Sequence, residues 1–226
     1  MKKVALVFGG SRGIGAACVE ALKADFEVAF TSMSGAAGHR VDIQKAEDVK
    51  SVFESVEKQY SSKVDCVIVN AGIGVPPGPI AQFDVANFRK LVEVNIVGAF
   101  NVLREAGQRV ADGGSIIAIT TSMVRHAVPG FGPYAGTKAA VECMVRSMAK
   151  EIAPRRVRVN AVAPGPVDTD LFRAGKTEEA KQRSAALSPF NRIGTPAEVA
   201  AVVGFLASEK ASWVHGQIVQ PNGGMI

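Results

Sequence analysis

The chain alternates short, almost wholly apolar runs with longer segments in which apolar residues recur at helical spacing. The apolar runs predict strands at Val4–Phe8, Glu27–Thr31, His39–Val41, Val64–Val69, Ser115–Thr120, Arg158–Val162 and Gln217–Gln220. The periodic segments predict helices at Gly15–Ala24, Lys45–Tyr60, Asn87–Arg109, Tyr134–Ala153, a stretch ending at Ser184 and one opening at Thr195. This alternation predicts an α/β fold: a doubly wound parallel sheet of about seven strands with helices on both faces.

No linker, repeat or low-complexity stretch divides the sequence, so we predict a single domain over residues 1–226. The last long helix has a clear start signal, because Thr195 and Glu198 have the spacing of a capping box and Pro196 falls at the first helical position. Ligands of open parallel sheets bind beyond the carboxyl ends of the strands. The residues that follow the predicted strands are therefore the candidates for function.

Composition narrows the class of protein. The 226 residues are 47% hydrophobic, 21% charged and 6% aromatic, which is typical of a well-buried globular protein. The formal net charge is +5, but the basic residues are scattered, which favours a phosphorylated small ligand and argues against a nucleic-acid partner.

Cysteine usage and hydropathy bear on location. Cys18, Cys66 and Cys143 are far apart and lack the spacing of a metal or redox site, so we predict buried thiols, a reducing compartment and no metal. No apolar run approaches the length of a membrane span, so no membrane partner is expected. Together these features predict a cytoplasmic protein.

A glycine-rich turn connects the first predicted strand to the first predicted helix. It reads Gly9-Gly10-Ser11-Arg12-Gly13-Ile14-Gly15. Backbone N–H groups and the helix dipole at such a position favour a pyrophosphate, and glycine permits its close approach. Any tight connection can use glycine for positive φ, but the position of this turn at the start of a βαβ unit favours a dinucleotide site of the Rossmann type.

The residues beside this turn bear on which dinucleotide binds. Arg12 can reach the adenosine ribose, and the second strand ends in Thr31 and Ser32 instead of a carboxylate. A carboxylate would accept from a ribose 2′-hydroxyl and repel a 2′-phosphate, whereas a cation and hydroxyls suit the phosphate. We therefore predict NADP(H) as the preferred cofactor, with NAD(H) as the alternative; a solvated surface arginine is the competing interpretation of Arg12.

A tyrosine and a lysine lie four residues apart at the start of a long predicted helix. This spacing puts the phenol of Tyr134 and the ammonium of Lys138 on one helix face. A phenol with a pKa of about 10 is a poor acid or base at neutral pH, but an adjacent ammonium, and the cationic nicotinamide ring of an oxidised cofactor, favour the phenolate. Taken alone the pair is common in helices, where it usually means an aromatic contact and a surface lysine.

The ordered motifs extend over nearly the whole chain. The glycine-rich turn, Asn70-Ala71-Gly72 after a strand, Asn95 within a helix and the Tyr134/Lys138 pair together resemble the short-chain dehydrogenase/reductase family from end to end. The resemblance is specific for the family and not for a substrate. It implies a nicotinamide-dependent oxidoreductase that acts on an alcohol or carbonyl substrate, and a homo-oligomer, a tetramer or dimer, formed through the long helices.

The resemblance also implies roles for single residues. Asp42 and Ile43 would border the adenine, and Asn70, Ala71 and Gly72 would shape the cofactor pocket.

In the reactive part of the site, Asn95 would hold a water of the proton relay. Tyr134 would be the acid or base, and Lys138 would bind the nicotinamide ribose while lowering the pKa of the tyrosine. Further along, the segment Pro164-Gly165-Pro166-Val167-Asp168-Thr169 resembles the family's Pro-Gly segment, in which Pro164, Gly165, Val167 and Thr169 would contact the cofactor and orient its carboxamide. An ordinary proline-rich turn is the alternative.

The sequence departs from the family pattern in several places. The catalytic hydroxyl falls on Thr121 by spacing, and Ser122 is kept as the alternative. Phe8 stands where a threonine usually braces the glycine turn, and Asn222 replaces an aspartate.

The largest departure is the span from Ser32 to Arg40, which is too short for a crossover helix. Either a tight loop leaves one face of the sheet less covered, or Arg40 and the nearby backbone remodel the adenine pocket.

The sequence is compatible with three classes of function. The leading one is an NADPH-dependent reductase of ketones, aldehydes or 3-oxoacyl thioesters, or the reverse alcohol dehydrogenase. The others are a non-catalytic nucleotide sensor and a structural protein. The presence of Asn95, Tyr134 and Lys138 argues against both. Specificity is expected from Met123–Pro133 and Leu171–Arg192, whose composition predicts loops around a substrate mouth.

Overall fold

In the computed structural model, residues 2–35 and 37–226 are described, so Met1, ahead of the first strand, and Ala36, in the span from Ser32 to Arg40, lie outside the described residues. The described chain forms a parallel seven-stranded sheet in the order β3-β2-β1-β4-β5-β6-β7. The strands are β1 (Lys3–Phe8), β2 (Phe26–Ser32), β3 (His39–Arg40), β4 (Cys66–Val69), β5 (Ser115–Ile119), β6 (Arg158–Val162) and β7 (Ile218–Val219). The predicted doubly wound parallel sheet is confirmed, and its strand order reverses between β1 and β4, where such folds bind ligands.

The helices alternate with these strands. They are α1 (Gly13–Leu22), α2 (Ala46–Tyr60), α3 (Val85–Val92), α4 (Ala99–Arg109), α5 (Met123–His126), α6 (Gly132–Glu151), α7 (Asp170–Arg173), α8 (Glu178–Ala186) and α9 (Pro196–Ala207). A π-helical turn, Glu93–Gly98, joins α3 to α4, so the helix predicted there as one piece has three segments. The predicted capping box of α9 is confirmed, since the Thr195 hydroxyl and the Glu198 carboxylate accept from each other's backbone N–H groups.

Two apolar layers hold the helices on opposite faces of the sheet. Leu6 and Phe8 of β1 face the layer that contains α2 and α4, whereas Ala5 and Val7 face the layer that contains α1 and α9. The ring of Phe8 lies 5.7 Å from that of Phe53 on α2. Because the central strands are covered on both faces, they are mostly apolar, which is why the sequence pattern located them.

The connection from β2 to β3 spans six residues, 33–38. The two strands pair in parallel, with Ser32 opposite Arg40, and no helix fits between them. Gly38 has a φ of +73° and lies against the ring of Phe30, where a Cβ would come within 2.8 Å of Cδ2. The tight loop is thus the alternative that the structure adopts. The Phe30 side chain, against which Gly38 lies, is only partly buried.

Two of the three cysteines are buried as predicted, and the third is not. Burial raises the pKa of Cys18 to about 12 and that of Cys66 to about 11, so both thiols stay protonated at neutral pH. Cys143 is exposed on α6, which corrects the prediction for this residue, because the outer face of that helix does not pack against the sheet.

Of the helices in the described part of the chain, none has the length and hydropathy that crossing a bilayer requires.

Candidate active site

The glycine-rich turn between β1 and α1 is braced from two neighbouring strands. Thr31 Oγ1, on β2, accepts a hydrogen bond from the Gly9 N–H at 3.2 Å, and Asn70 Nδ2, after β4, donates to Gly9 O at 2.8 Å. These bonds supply the bracing that Phe8 cannot give. Gly15 has no room for a side chain, since a Cβ would lie 2.5 Å from Asn70 Nδ2.

The start of α1 is suited to an anion. Gly13 has a φ of +55°, Ser11 and Arg12 are exposed beside it, and Ile14 packs into the apolar layer behind. Arg12 occupies the N-cap position without a capping hydrogen bond from its side chain. The N–H groups of the first helical turn and the positive end of the helix dipole are therefore left for a ligand such as a pyrophosphate.

The two hydroxyls at the end of β2 are already engaged inside the protein. Thr31 is bonded to the glycine-rich turn, and Ser32 Oγ donates to Ala37 O at 2.8 Å and accepts from the Gly35 N–H at 3.0 Å. A six-residue loop has few backbone partners of its own, so a side chain has to satisfy its polar groups. The proton of the Ser32 hydroxyl is thus used within the loop, whereas Thr31 only accepts in the bond to Gly9, and the contact of both residues with the cofactor stays a prediction.

Asp42 and Ile43 follow β3, as predicted, but their two side chains point in different directions. Asp42 Oδ1 accepts from Gln44 N at 3.1 Å and from Gln44 Nε2 at 2.9 Å. Asp42 also lines an open groove of about 590 Å³ beside α2, together with Met33 and Arg40. Ile43 is buried and packs where a Cβ on Gly98 would come within 2.6 Å of its Cδ1. Of the two residues, only Asp42 therefore faces outward beside the predicted adenine region.

Asn95 joins the loop after β4 to helix α6. Its Oδ1 accepts from Ile73 N at 2.9 Å, and its Nδ2 donates to Ile73 O at 3.0 Å and to Thr137 Oγ1 at 3.2 Å. The side chain is 1% exposed and lies in the π-helical turn, a feature that frequently marks functional sites. Asn95 thus has an anchoring role, and its role in holding a water stays a prediction.

The Lys138 side chain reaches the same place from α6. Its Nζ donates to Ile119 O at 3.0 Å, at the end of β5. A Cβ on Gly72 would lie 3.2 Å from this Nζ and 3.1 Å from Asn95 Oδ1, and Ala71 lies close against the glycine-rich turn. The structure therefore brings together three predicted site residues, Gly72, Asn95 and Lys138, at the carboxyl ends of β4 and β5.

Tyr134 lies one helical turn before Lys138. Burial raises the pKa of Tyr134 to about 12 and lowers that of Lys138 to about 8, because a low-dielectric environment disfavours the charged form of each group. In the protein alone the pKa of Tyr134 is thus raised, and its lowering by Lys138 together with a bound cofactor stays a prediction. In the described chain the Lys138 ammonium is bonded to a backbone carbonyl, and no hydrogen bond joins it to the phenol.

Thr121 and Ser122 are distinguished by what their hydroxyls contact. Ser122 is buried, and its Oγ donates to Ala163 O at 2.7 Å. Within the described residues, Thr121 Oγ1 makes a single hydrogen bond, in which it accepts from Met123 N at 3.3 Å. The proton of Thr121 is therefore available for another acceptor, whereas that of Ser122 is used within the protein.

The segment after β6 closes the other side of the site. The carbonyl of Pro164 accepts from the backbone N–H of residue 122, the N–H of Gly165 donates to the C-terminal segment, and Val167 is buried. Thr169 caps α7 with its hydroxyl, and its Cγ2 would lie 3.3 Å from a Cβ on Gly13. The predicted Pro-Gly segment therefore reaches from β6 across to the glycine-rich turn.

These placements define what the site can do. A protonated phenol, an ammonium and a hydroxyl lie on elements that meet beside a helix start suited to a phosphate, which fits proton donation to a carbonyl oxygen. Among residues 2–35 and 37–226, no three His, Cys, Asp or Glu side chains are grouped so as to hold a metal ion.

Comparison with known proteins agrees with this chemistry. The family model described as Enoyl-(Acyl carrier protein) reductase matches residues 9–226, and a protein of Arabidopsis thaliana named NADPH-dependent aldehyde reductase-like protein, chloroplastic, is 37% identical over 99% of this chain and 94% of its own length. The chain belongs to the short-chain dehydrogenase/reductase family.

Other members of the short-chain dehydrogenase/reductase family are similar over the whole chain. The 3-oxoacyl-[acyl-carrier-protein] reductase MabA of Mycobacterium tuberculosis is 36% identical over 97% of this chain and 91% of its own length. The crystal structure of a short-chain dehydrogenase from Burkholderia cenocepacia in complex with NADP superposes with a TM-score of 0.90 at 26% identity, covering 99% of this chain and 97% of that one.

The sequence did not identify three polar residues that lie beside the site in this short-chain dehydrogenase/reductase fold. Thr120 and Glu142 are hydrogen-bonded to each other, and Thr137 accepts from Asn95. A signal for Glu142 was present, because the four-residue spacing that links Tyr134 to Lys138 continues to it. No pattern marked Thr120 or Thr137.

Proposed function

We propose that this chain is an NADP(H)-dependent reductase of aldehydes, ketones or 3-oxoacyl thioesters. The observation that carries the proposal is the meeting of Lys138, Asn95 and Gly72 one helical turn from Tyr134, beside the uncapped start of α1. The names of the Arabidopsis and Mycobacterium relatives point to the same substrate classes.

The residues of the chain fit a dinucleotide with a 2′-phosphate. Glycines at positions 9, 13 and 15 keep the turn free of side chains, and no carboxylate stands at the end of β2. With Thr31 and Ser32 engaged internally, the cations for the 2′-phosphate are Arg12 and, opposite Ser32 on β3, Arg40, both of which are exposed. The relative that is named NADPH-dependent and the NADP-bound neighbour support this choice over NAD(H).

The reductive direction is proposed from the names of the two relatives, with Tyr134 as the acid. When bound, NADPH supplies the hydride that the carbonyl carbon receives. Tyr134, protonated at neutral pH, donates its phenolic proton to the carbonyl oxygen, and Thr121, whose hydroxyl proton has no acceptor in the described chain, donates a hydrogen bond to the same oxygen. Lys138 holds positive charge beside the phenolate that this step leaves, and Asn95 fixes the loop that carries Gly72.

Two further parts of the proposal concern assembly and location. Val85, Phe88 and Phe100 are exposed on α3 and α4, which supports a homo-oligomer formed through these helices and their neighbour α6. A monomer by light scattering at micromolar concentration would contradict this. A cytoplasmic location stays a prediction; the Arabidopsis relative is named as chloroplastic.

The test follows NADPH absorbance during incubation with a panel of aldehydes, ketones and acyl thioesters. We expect turnover by the wild type, and a loss of about 100-fold or more in kcat for Tyr134→Phe, since general acid catalysis contributes on that order. Tyr60→Phe, which changes the other tyrosine of the chain, is the matched control and should leave the rate unchanged. If the wild type and both variants bind NADPH but turn over no substrate of the panel, the result would favour a nucleotide sensor and overturn the proposal.

A further inference from the structure

Helix α6 contacts the end of β5 through two side chains that lie one turn apart. Lys138 Nζ donates to Ile119 O at 3.0 Å, and Glu142 Oε1 accepts a hydrogen bond from Thr120 Oγ1 at 3.0 Å. Ile119 and Thr120 directly precede Thr121, the proposed hydroxyl donor. The helix that carries the proposed acid is therefore bonded at two consecutive residues to the strand end that carries its partner.

Glu142 is an expensive residue to keep at this position. It is 6% exposed, its partner Arg146 lies 3.9 Å away on the exposed side, and burial raises the pKa of the carboxyl. An apolar side chain would fill the same volume without the cost of desolvating a carboxylate. What the carboxylate adds is a directional acceptor for the hydroxyl of Thr120.

The Thr120 hydroxyl has a second, weaker acceptor. Its hydroxyl also lies 3.4 Å from Val162 O on the neighbouring strand, which is longer than the roughly 2.5–3.0 Å usual for an O–H donor. With Glu142 present, the hydroxyl is directed toward α6 and the β-branched side chain is confined to one rotamer. Because the next residue is Thr121, this contact fixes the direction in which the strand end continues.

We propose that the Thr120–Glu142 hydrogen bond positions Thr121 against Tyr134 for proton and hydrogen-bond donation to one carbonyl oxygen. The inference rests on the proposed function. Both residues are positioning residues, since neither is placed to touch the substrate. A displacement of about 1 Å between reacting groups can lower a rate by up to about 100-fold, so even a partial shift of Thr121 is measurable.

The test compares variants that break the hydrogen bond with variants that keep it. Thr120→Val, Glu142→Leu and the double variant break it, whereas Thr120→Ser and Glu142→Gln retain a donor and an acceptor. Glu151→Gln is the matched control, because Glu151 accepts from the Ser147 hydroxyl at 2.7 Å on the exposed face of the same helix. The measurements are kcat and KM for the best carbonyl substrate, the Kd for NADPH, and Tm.

We expect kcat to fall about tenfold in each variant that breaks the bond, with the Kd for NADPH within twofold of the wild type. The double variant should be no slower than the single ones, because the pair acts as a unit. The variants that keep the bond, and the control, should stay within twofold in kcat.

Two results would overturn the inference. A kcat within twofold of the wild type in Thr120→Val and Glu142→Leu, with a lowered Tm, would show a purely structural pair. An equal loss in Thr120→Ser would show that the hydrogen bond is not what matters. If the wild type reduces no carbonyl of the panel, the proposed function fails first, and this inference with it; turnover by the wild type together with its loss in Tyr134→Phe separates the two cases.

Discussion

Asn95 offers the sharpest test of how the site is held together. The resemblance to the family implies a role in a proton relay, but the structure also gives its side chain three hydrogen bonds, to both backbone groups of Ile73 and to the hydroxyl of Thr137. We predict that Asn95→Ala lowers the stability of the protein as well as its activity, because it removes the bonds that attach the loop after β4 to the helices.

The magnitude follows from the groups left without partners. A buried donor or acceptor that loses its partner costs about 1 to 3 kcal/mol. Ile73 is only partly buried, so its N–H and C=O recover part of this from water, whereas Thr137 is 1% exposed and retains a bond to Tyr134 O at 2.7 Å. We therefore expect a decrease of about 2 to 4 kcal/mol in the free energy of unfolding, toward the lower end if water enters the gap.

Asn101→Ala is the matched comparison, since Asn101 is a buried asparagine in the next helical segment whose Nδ2 donates to Ile43 O at 2.9 Å and Gln44 O at 3.1 Å. The Asn101→Ala substitution leaves only carbonyl groups without their partner, and a carbonyl tolerates this loss better than an N–H group does. Urea unfolding followed by circular dichroism, at equal protein concentrations, measures both variants. If Asn95→Ala costs less than Asn101→Ala, the anchoring role is refuted.

Three other predictions follow from the structure. The kcat/KM for NADPH in the reductive reaction should fall above about pH 8, because the lowered pKa of Lys138 means that its ammonium is lost there; a pH profile checks this, and Lys138→Arg should move the decline to higher pH. Cys18 and Cys66 should resist alkylation in the native protein and react after unfolding, since burial raises the pKa of both thiols. Mass spectrometry of labelled peptides checks this, and labelling of either thiol before the exposed Cys143 would refute it. Arg158→Met should lower the free energy of unfolding by about 2 to 3 kcal/mol in urea titrations, because the buried guanidinium donates to the carbonyls of Leu206 and Ala207 at the end of α9, and an effect below 0.5 kcal/mol would contradict that reasoning.

The fold was predictable because its main signal is local. Strands buried on both faces read as apolar runs, and helices that cover them read as periodic segments, so the position of each central strand follows from the sequence. The boundaries of β6, Arg158–Val162, are those predicted, and the Thr195 capping box was recognisable for the same reason: its partners lie three residues apart. The pairing of Tyr134 with Lys138 on one face of α6 is equally local.

The direction of each side chain was not local, and only the tertiary structure decided it. Thr31 and Ser32 stand at the expected strand end, yet the Thr31 hydroxyl accepts from the glycine-rich turn and the Ser32 hydroxyl is bonded within the short loop after β2. The phenol of Tyr134, which is partly buried, has a pKa raised by desolvation, and the adjacent lysine is directed to a carbonyl.

In the same way, the choice between Thr121 and Ser122 depends on Ala163, which is 41 residues away from Ser122 along the chain. Sequence alone determined which elements form and which residues reach the edge of the sheet, since these depend on neighbours along the chain. The hydrogen-bond partners and the surrounding dielectric, which set the chemistry of those residues, come from segments that only folding brings near.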